Sequence, residues 1–315
     1  APAGRGQQAG TGPAPERGGG KARQPGRLPG AEVRRHGRFR RSRRGAIEFS
    51  RCRSYNPPAP ASLEKHNLNG PVLSDLNPPQ REAVRYTDGP LLVLAGAGSG
   101  KTRVITHKIA HLIRRHDYAP EAIAAVTFTN KAAREMKARA GKLIGRKAAA
   151  RLQVSTFHSL GLRILRRDCH LLGRREGFTL TDPADCATLV ADLMRGQRGS
   201  DSSLADRTRD ALSRLKSAGH REGAGIGGDA DEETQRAAGL YARYDEALAA
   251  YNAFDFDDLI SLPVRLLAEH PEVCHHWRST LRYLLVDEYQ DINIAQYEFV
   301  RALTGERGAL TVVGD

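Results

Sequence analysis

From about residue 70 onward, short runs of purely apolar residues alternate with longer stretches of helical periodicity. Leu91-Leu92-Val93-Leu94 is the first run; it ends in a Gly-rich loop, beyond which Val104, Ile105, Ile109, Leu112 and Ile113 recur at the spacing of one helix face. A second strand is predicted over Ile123 to Phe128, with Asn130 as the N-cap of a helix through Arg139. Leu152 to Ser155 reads as a third strand, leading into a helix from about Phe157 to Arg167. Leu281 to Val286 and Leu310 to Val313 complete the set, with a helix from about Ile294 to Leu303 between them. Strands with no polar alternation are buried on both sides, so the pattern predicts an α/β domain with a parallel sheet covered by helices on both faces.

Between about residues 165 and 250 that rhythm stops. Amphipathic helices are predicted there at about Ala184 to Met194, Leu204 to Lys216 and Thr234 to Tyr251, joined by Gly-rich, charged loops such as Gly219 to Asp231, which describes an all-helical insertion. The expected organisation is a leader over 1–69, the first part of the α/β domain over 70–164, the insertion over 165–251, and the second part of the α/β domain over 252–315.

The loop after the first strand carries the chemistry. Ala95-Gly96-Ala97-Gly98-Ser99-Gly100-Lys101-Thr102 has the G-x-x-x-x-G-K-[ST] form, with Ala95 in place of the first glycine. Glycines let successive N–H groups curl around phosphate oxygens, and the N-terminus of the following helix adds the positive end of its dipole. Lys101 is then expected on the β- and γ-phosphates of ATP and the Thr102 hydroxyl on Mg²⁺, with Arg103 completing the nucleotide-binding segment. The strand Leu284-Leu285-Val286 ends in Asp287-Glu288, where Asp287 is the second expected Mg²⁺ ligand and Glu288 the base that orients the attacking water. Lys101, Asp287 and Glu288 form the expected catalytic set. Taken alone, two acids at a strand end describe a solvated turn; it is their pairing with Lys101 and Thr102 that changes the reading.

Charge alters the picture less than its total suggests. The chain carries +13, but residues 1–60 hold 14 Lys and Arg against 3 Asp and Glu, while the other 255 residues hold 35 against 33. The high pI therefore belongs to the leader and says little about the body. That leader is rich in Gly, Arg and Pro and is expected to be disordered. It reads as a basic arm on DNA phosphates, as a solvated tail, or as translated upstream sequence. The third reading is favoured because the chain's only methionines are Met136 and Met194. No run of 18 apolar residues occurs, so no membrane span is expected and a cytoplasmic location is the default. Cys52, Cys169, Cys186 and Cys274 are widely spaced, with no C-x-x-C pair and no cluster with histidines at metal-ligand spacing, and are expected to be reduced and structural. His275 and His276 beside Cys274 read as a solvated helix face.

Six segments in order place the chain in a family. Leu76-Asn77-Pro78-Pro79-Gln80, the phosphate-binding loop, Thr127-Phe128-Thr129-Asn130-Lys131-Ala132-Ala133, Thr156-Phe157-His158, Asp255-Phe256-Asp257-Asp258-Leu259 and Val286-Asp287-Glu288-Tyr289-Gln290-Asp291 together resemble superfamily 1 helicases of the UvrD/Rep type over about residues 75 to 315. Tyr289 and Gln296-Tyr297-Glu298 lean toward the Rep branch. The resemblance implies a RecA-like motor domain, ATP and Mg²⁺ as cofactors, and Gln80 on the adenine. It also implies single-stranded DNA and its junctions with duplex as substrate, 3′ to 5′ movement, replication or repair proteins as partners, and a monomer or DNA-induced dimer. DNA contacts are expected from Phe128, Thr129, Asn130, Thr156, Phe157, His158 and Phe256: rings that can stack on bases, and side chains that can reach phosphates. For Phe128, Phe157 and Phe256 a place in the core is the competing reading. Asp255, Asp257 and Asp258 are expected to hold no metal, since the family uses this motif near the DNA and motor interface.

Two departures matter. Pro79 stands where the family more often has a polar residue. The sequence ends at Val313-Gly314-Asp315, inside a motif that the family continues with a γ-phosphate-sensing glutamine and a stacking aromatic, and ahead of a second motor domain with its arginine fingers. Residues 1–315 alone are therefore expected to turn over little ATP. The alternatives are a helicase-nuclease subunit, a nucleotide-binding module without turnover, and a phosphate-loop ATPase acting on proteins. The last would leave Gln80 and Thr127 to Ala133 unexplained.

Overall fold

The computed structural model describes residues 73–96, 98–195, 202–220, 226–227 and 229–315. The expectations for the leader, for Cys52, for Ala97 and for much of the 219–231 loop lie outside them. Five strands, β1 (Leu91–Leu94), β2 (Ile123–Thr127), β3 (Gln153–Thr156), β6 (Tyr283–Val286) and β7 (Leu310–Gly314), form one parallel sheet in the order β1-β7-β6-β2-β3. The order follows from burial. β2, β6 and β7 are buried along their whole length, and they take the central positions, while the less buried β1 and β3 take the edges.

Period-two alternation divides the core between the faces. Ile123, Ala125, Tyr283, Leu285 and Val313 pack with α2 (Lys101–Arg115) and α3 (Asn130–Ile144), beside the short α4 (Arg146–Arg151). Ala124, Val126, Leu284, Val286, Leu310 and Val312 pack on the other side with α5 (Phe157–Asp168), α9 (Asp258–Glu269), α10 (Pro271–Thr280) and α11 (Ile294–Thr304). α5 and α9 touch backbone to backbone: a Cβ on Gly161 would lie 1.6 Å from the Leu259 carbonyl oxygen. Pro263, inside α9, cannot donate to that carbonyl, and only a residue without a side chain can approach it so closely.

The inserted helices α6 (Pro183–Leu193), α7 (Ser202–Ser217) and α8 (Glu232–Ala250) have a core of their own, including Val190, Met194, Leu212, Leu215, Leu240 and Tyr244. Two features differ from the sequence expectation. α5 runs to Asp168 with Ile164, Leu165 and Cys169 in the sheet's core, so residues 165–169 pack with the α/β domain. The insertion is also strapped at its base by a parallel pair, β4 (Thr179–Leu180) with β5 (Ala253–Phe254); strands of two residues leave no periodicity to read. Cys169, Cys186 and Cys274 are free thiols. Among the described residues no helix is long and apolar enough to cross a membrane.

Candidate nucleotide and DNA edge

All five strands point the same way, so the loops that follow them share one edge of the sheet. The phosphate-binding loop leaves β1 with the Ala95 N–H bonded to the Gly314 carbonyl at 2.9 Å, which ties the loop to the tip of β7. Gly98 (φ 76°) and Gly100 (φ 89°) then take left-handed conformations that disfavour any residue with a Cβ. Gly100 caps α2 without a side-chain bond, which leaves the first turn of the helix turned toward the loop. A Cβ on Gly100 would also lie 2.8 Å from the Gln80 Nε2.

Gln80 reaches the loop because α1 (Pro78–Arg85) is capped from both directions. Asn77 accepts from the Gln80 N–H at 2.9 Å, and the Gln80 Oε1 accepts from the Asn77 N–H at 3.2 Å. Its Nε2 donates to the Ser99 carbonyl at 2.8 Å. Pro78 and Pro79 occupy the first helical positions, where a missing N–H costs nothing, so the Pro79 departure leaves the register of Gln80 intact. Lys108 on α2 holds the other end of α1, donating to the carbonyls of Ala83, at 2.9 Å, and Tyr86.

Asp287 and Glu288 follow β6, two strands away from β1. Asp287 is buried, and its N–H bonds to Val126 of β2 at 3.0 Å. Burial, then the neighbouring Glu288 charge, raises the Asp287 pKa above the ordinary aspartate value. Glu288 takes a left-handed backbone conformation (φ 51°, ψ 46°), which costs a residue with a Cβ about 1–2 kcal/mol. That turn aims its carboxylate across β7, where Oε2 lies 3.5 Å from the Lys101 Nζ. Lys101 also pairs with Asp315 at the tip of β7. Gln290 closes the group, donating to Glu288 Oε2 at 3.0 Å and accepting from the Asp315 N–H at 3.1 Å.

The structure thus brings together Lys101, Glu288 and Asp287, with Thr102 one residue further along α2. A hydroxyl and a carboxylate are hard oxygen donors that suit Mg²⁺. Among the described residues no group of three or more His, Cys, Asp or Glu side chains could hold a metal, so Mg²⁺ here would also draw on phosphate oxygens. Ala95, Gly96, Gly98 and Ser99 line the loop, and Arg103 is exposed on the first turn of α2. The roles of Asp315 and Gln290 went unseen in the sequence, because they depend on the strand order that sets β7 and β6 beside β1.

The loops after β2 and β3 occupy the other half of the same edge. Phe128, Thr129 and Asn130 are exposed. Thr129, not Asn130, caps α3: its backbone is extended and its Oγ1 accepts from the Ala132 N–H at 3.1 Å, whereas Asn130 is already helical. Thr156 is buried, and its hydroxyl caps α5 by accepting from the Ser159 N–H at 3.2 Å. Phe157 is corrected to a core residue. Its ring packs inward and meets Phe128 edge-on at 6.0 Å, so no face is left for a base. His158 is half-buried and stacks on Phe256 at 4.0 Å and 26°, and burial lowers its pKa. Asp255 and Asp258 both pair with a buried lysine, Lys216.

Residues 76–315 match the UvrD/REP helicase N-terminal domain. The chain is 50% identical over 240 residues to the ATP-dependent DNA helicase Rep of Salmonella typhimurium, and over 244 residues to that of Escherichia coli K12, covering 76% of this chain and 36% of each relative. It is 42% identical over 245 residues to the ATP-dependent DNA helicase PcrA of Staphylococcus aureus, covering 78% of this chain and 33% of the relative. The chain therefore spans about a third of the length of these relatives.

Proposed function

The chain belongs to the UvrD/REP helicase family through its N-terminal domain, and from that premise we propose that it is the ATP-binding motor domain of an ATP-dependent helicase moving 3′ to 5′ along single-stranded DNA. In this reading the sheet and its flanking helices are the motor domain, interrupted by a helical insertion that starts after α5 instead of at residue 165. The observation that carries the reading is the convergence of Lys101 and Glu288, 3.5 Å apart across the tip of β7. Two elements distant in sequence thereby form one polar centre beside a glycine loop shaped for phosphate.

Lys101 exchanges its carboxylate partners for β- and γ-phosphate oxygens and steadies the charge that develops on them. Glu288, released from that pair, orients the attacking water. Thr102 and Asp287 are the residues that would hold Mg²⁺, which neutralises phosphate charge when bound. Gln80 offers a donor and an acceptor to adenine by giving up its bond to Ser99. Phe128, Asn130, His158 and Phe256 face the DNA, while Thr156 and Phe157 shape the loop that presents His158. Coupling has a short path: β6, which leads into Asp287, is hydrogen-bonded to β2, which leads into Phe128 and Thr129. A rearrangement at Glu288 has one strand to cross before it alters the DNA grip.

Steady-state ATPase of the protein carrying this chain tests the reading. Single-stranded DNA is expected to stimulate hydrolysis strongly and duplex DNA weakly. Equal rates with single strand, duplex and no DNA would remove the translocase reading. Residues 1–315 alone are expected to bind ATP with little turnover.

A further inference from the structure

The last turn of α7 sets Lys216 at the seam between the insertion's own core and the α/β domain. Its side chain is 1% exposed, with Nζ 2.6 Å from Asp255 Oδ2, 2.6 Å from Asp258 Oδ1 and 3.8 Å from Asp245 Oδ1. The Tyr244 hydroxyl donates to Asp255 Oδ2 at 3.1 Å, and the rings of Tyr241 and Tyr244 flank the ammonium. Burial opposes the charge, but Asp258, Asp255 and Asp245 outweigh it, so Lys216 stays protonated.

The two acids close a four-residue turn. The Asp258 N–H donates to Asp255 Oδ1 at 2.8 Å and the Asp255 N–H to Asp258 Oδ2 at 3.1 Å. Between them, Phe256 is 55% exposed and carries its ring onto His158. The insertion therefore grips this turn on both sides of the exposed ring.

We infer that Lys216 is a positioning residue for a base-stacking platform made by Phe256 and His158, so that the seating of the helical insertion sets how firmly single-stranded DNA is held. The inference rests on the reading of this edge as the DNA contact surface. Cohesion alone does not call for a lysine at such a seam, because apolar residues in place of a buried ion pair hold as well or better. An ammonium differs in directing its N–H bonds to two chosen carboxylates, which fixes the backbone of the turn and with it the direction of an otherwise exposed side chain. Within these contacts, the turn and the His158 ring are what orient Phe256.

The test compares affinity for oligo(dT) with affinity for a matched oligonucleotide of abasic sites, at one salt concentration, in the full protein. Phosphate contacts are common to both probes, so the ratio reports stacking. Phe256→Ala is expected to lower the ratio about tenfold. Lys216→Met is expected to lower it by a similar factor with Phe256 present, and the Lys216→Met/Phe256→Ala double variant to fall no further. A lysine that merely stabilised the fold would leave the ratio unchanged in any molecule that remained folded. Should two unpaired buried carboxylates unfold Lys216→Met, the charge-neutral Lys216→Met/Asp255→Asn/Asp258→Asn variant carries the same comparison. An unchanged ratio in Phe256→Ala would remove the DNA reading of this edge. A ratio lost in Phe256→Ala but kept in the folded Lys216 variants would overturn the positioning role alone.

Discussion

Lys101 and Lys216 each place an ammonium between two carboxylates, one beside the glycine loop at the sheet edge and one at the seam between the helical insertion and the α/β domain. At the edge, Lys101 is 11% exposed and Glu288 is 44% exposed, with 3.5 Å between them. At the seam, Lys216 and Asp258 are each 1% exposed and 2.6 Å apart. The first pair keeps water on one partner, so its bonds can be exchanged at little cost. The second has left water altogether, and losing one member strands a bare charge. The same functional groups thus give an exchangeable contact or a fixed joint, according to burial.

The largest effect expected from this contrast is on stability. Lys216→Met should lower unfolding free energy by about 3–5 kcal/mol in urea titrations, whereas Lys101→Met should stay within about 0.5 kcal/mol of wild type. Comparable losses would erase the distinction. Turnover should rank the same two positions the other way: Lys101→Ala is expected to reduce ATPase about 10²–10³-fold with the fold intact, as removal of one donor to developing charge does. Next comes the packing beneath the seam. Gly161→Ala puts a methyl group against the Leu259 carbonyl and should cost about 1–3 kcal/mol, read as a drop in melting temperature. A melting temperature at or above the wild-type value would mean that α5 and α9 can separate without loss.

A third lysine sharpens the comparison, because it is buried against carbonyls, without a carboxylate ion pair. Burial pushes the Lys108 pKa down to about 7, against a smaller upward pull from Asp88. An unfolded chain keeps that proton until about pH 10.4. Between these values the unfolded state binds the extra proton, so stability should rise with pH from about 7 upward, by at most about 1.4 kcal/mol per pH unit. Lys108→Met should flatten that rise in denaturant melts at pH 7, 8 and 9. A profile unchanged by the substitution would mean that the carbonyls of Ala83 and Tyr86 hold the lysine charged.

Much of the site could be read in advance, for local reasons. A loop that wraps phosphate needs glycines at left-handed positions, and Gly98 and Gly100 occupy them. An acid pair at the end of an apolar strand stands out because the strand itself is so uniform. Phe128 and Phe157 were indistinguishable in sequence, each following a strand; only packing turned one ring outward and the other into the core. Thr129 and Asn130 are both good caps, and the choice between them depended on where the strand released the chain. Lys216 resembled any solvated charge on a weakly patterned helix.

What the sequence determined by itself is the set of local geometries: which runs become buried strands and where the chain must turn through positive φ. These depend on neighbours within a few positions and on backbone sterics. The tertiary structure alone decided the strand order, which sets Lys101 across from Glu288, and the burial of Lys216 between Asp255 and Asp258. Both are pairings over long sequence separations, and the desolvation that gives each its energy exists only once the chain has closed around it.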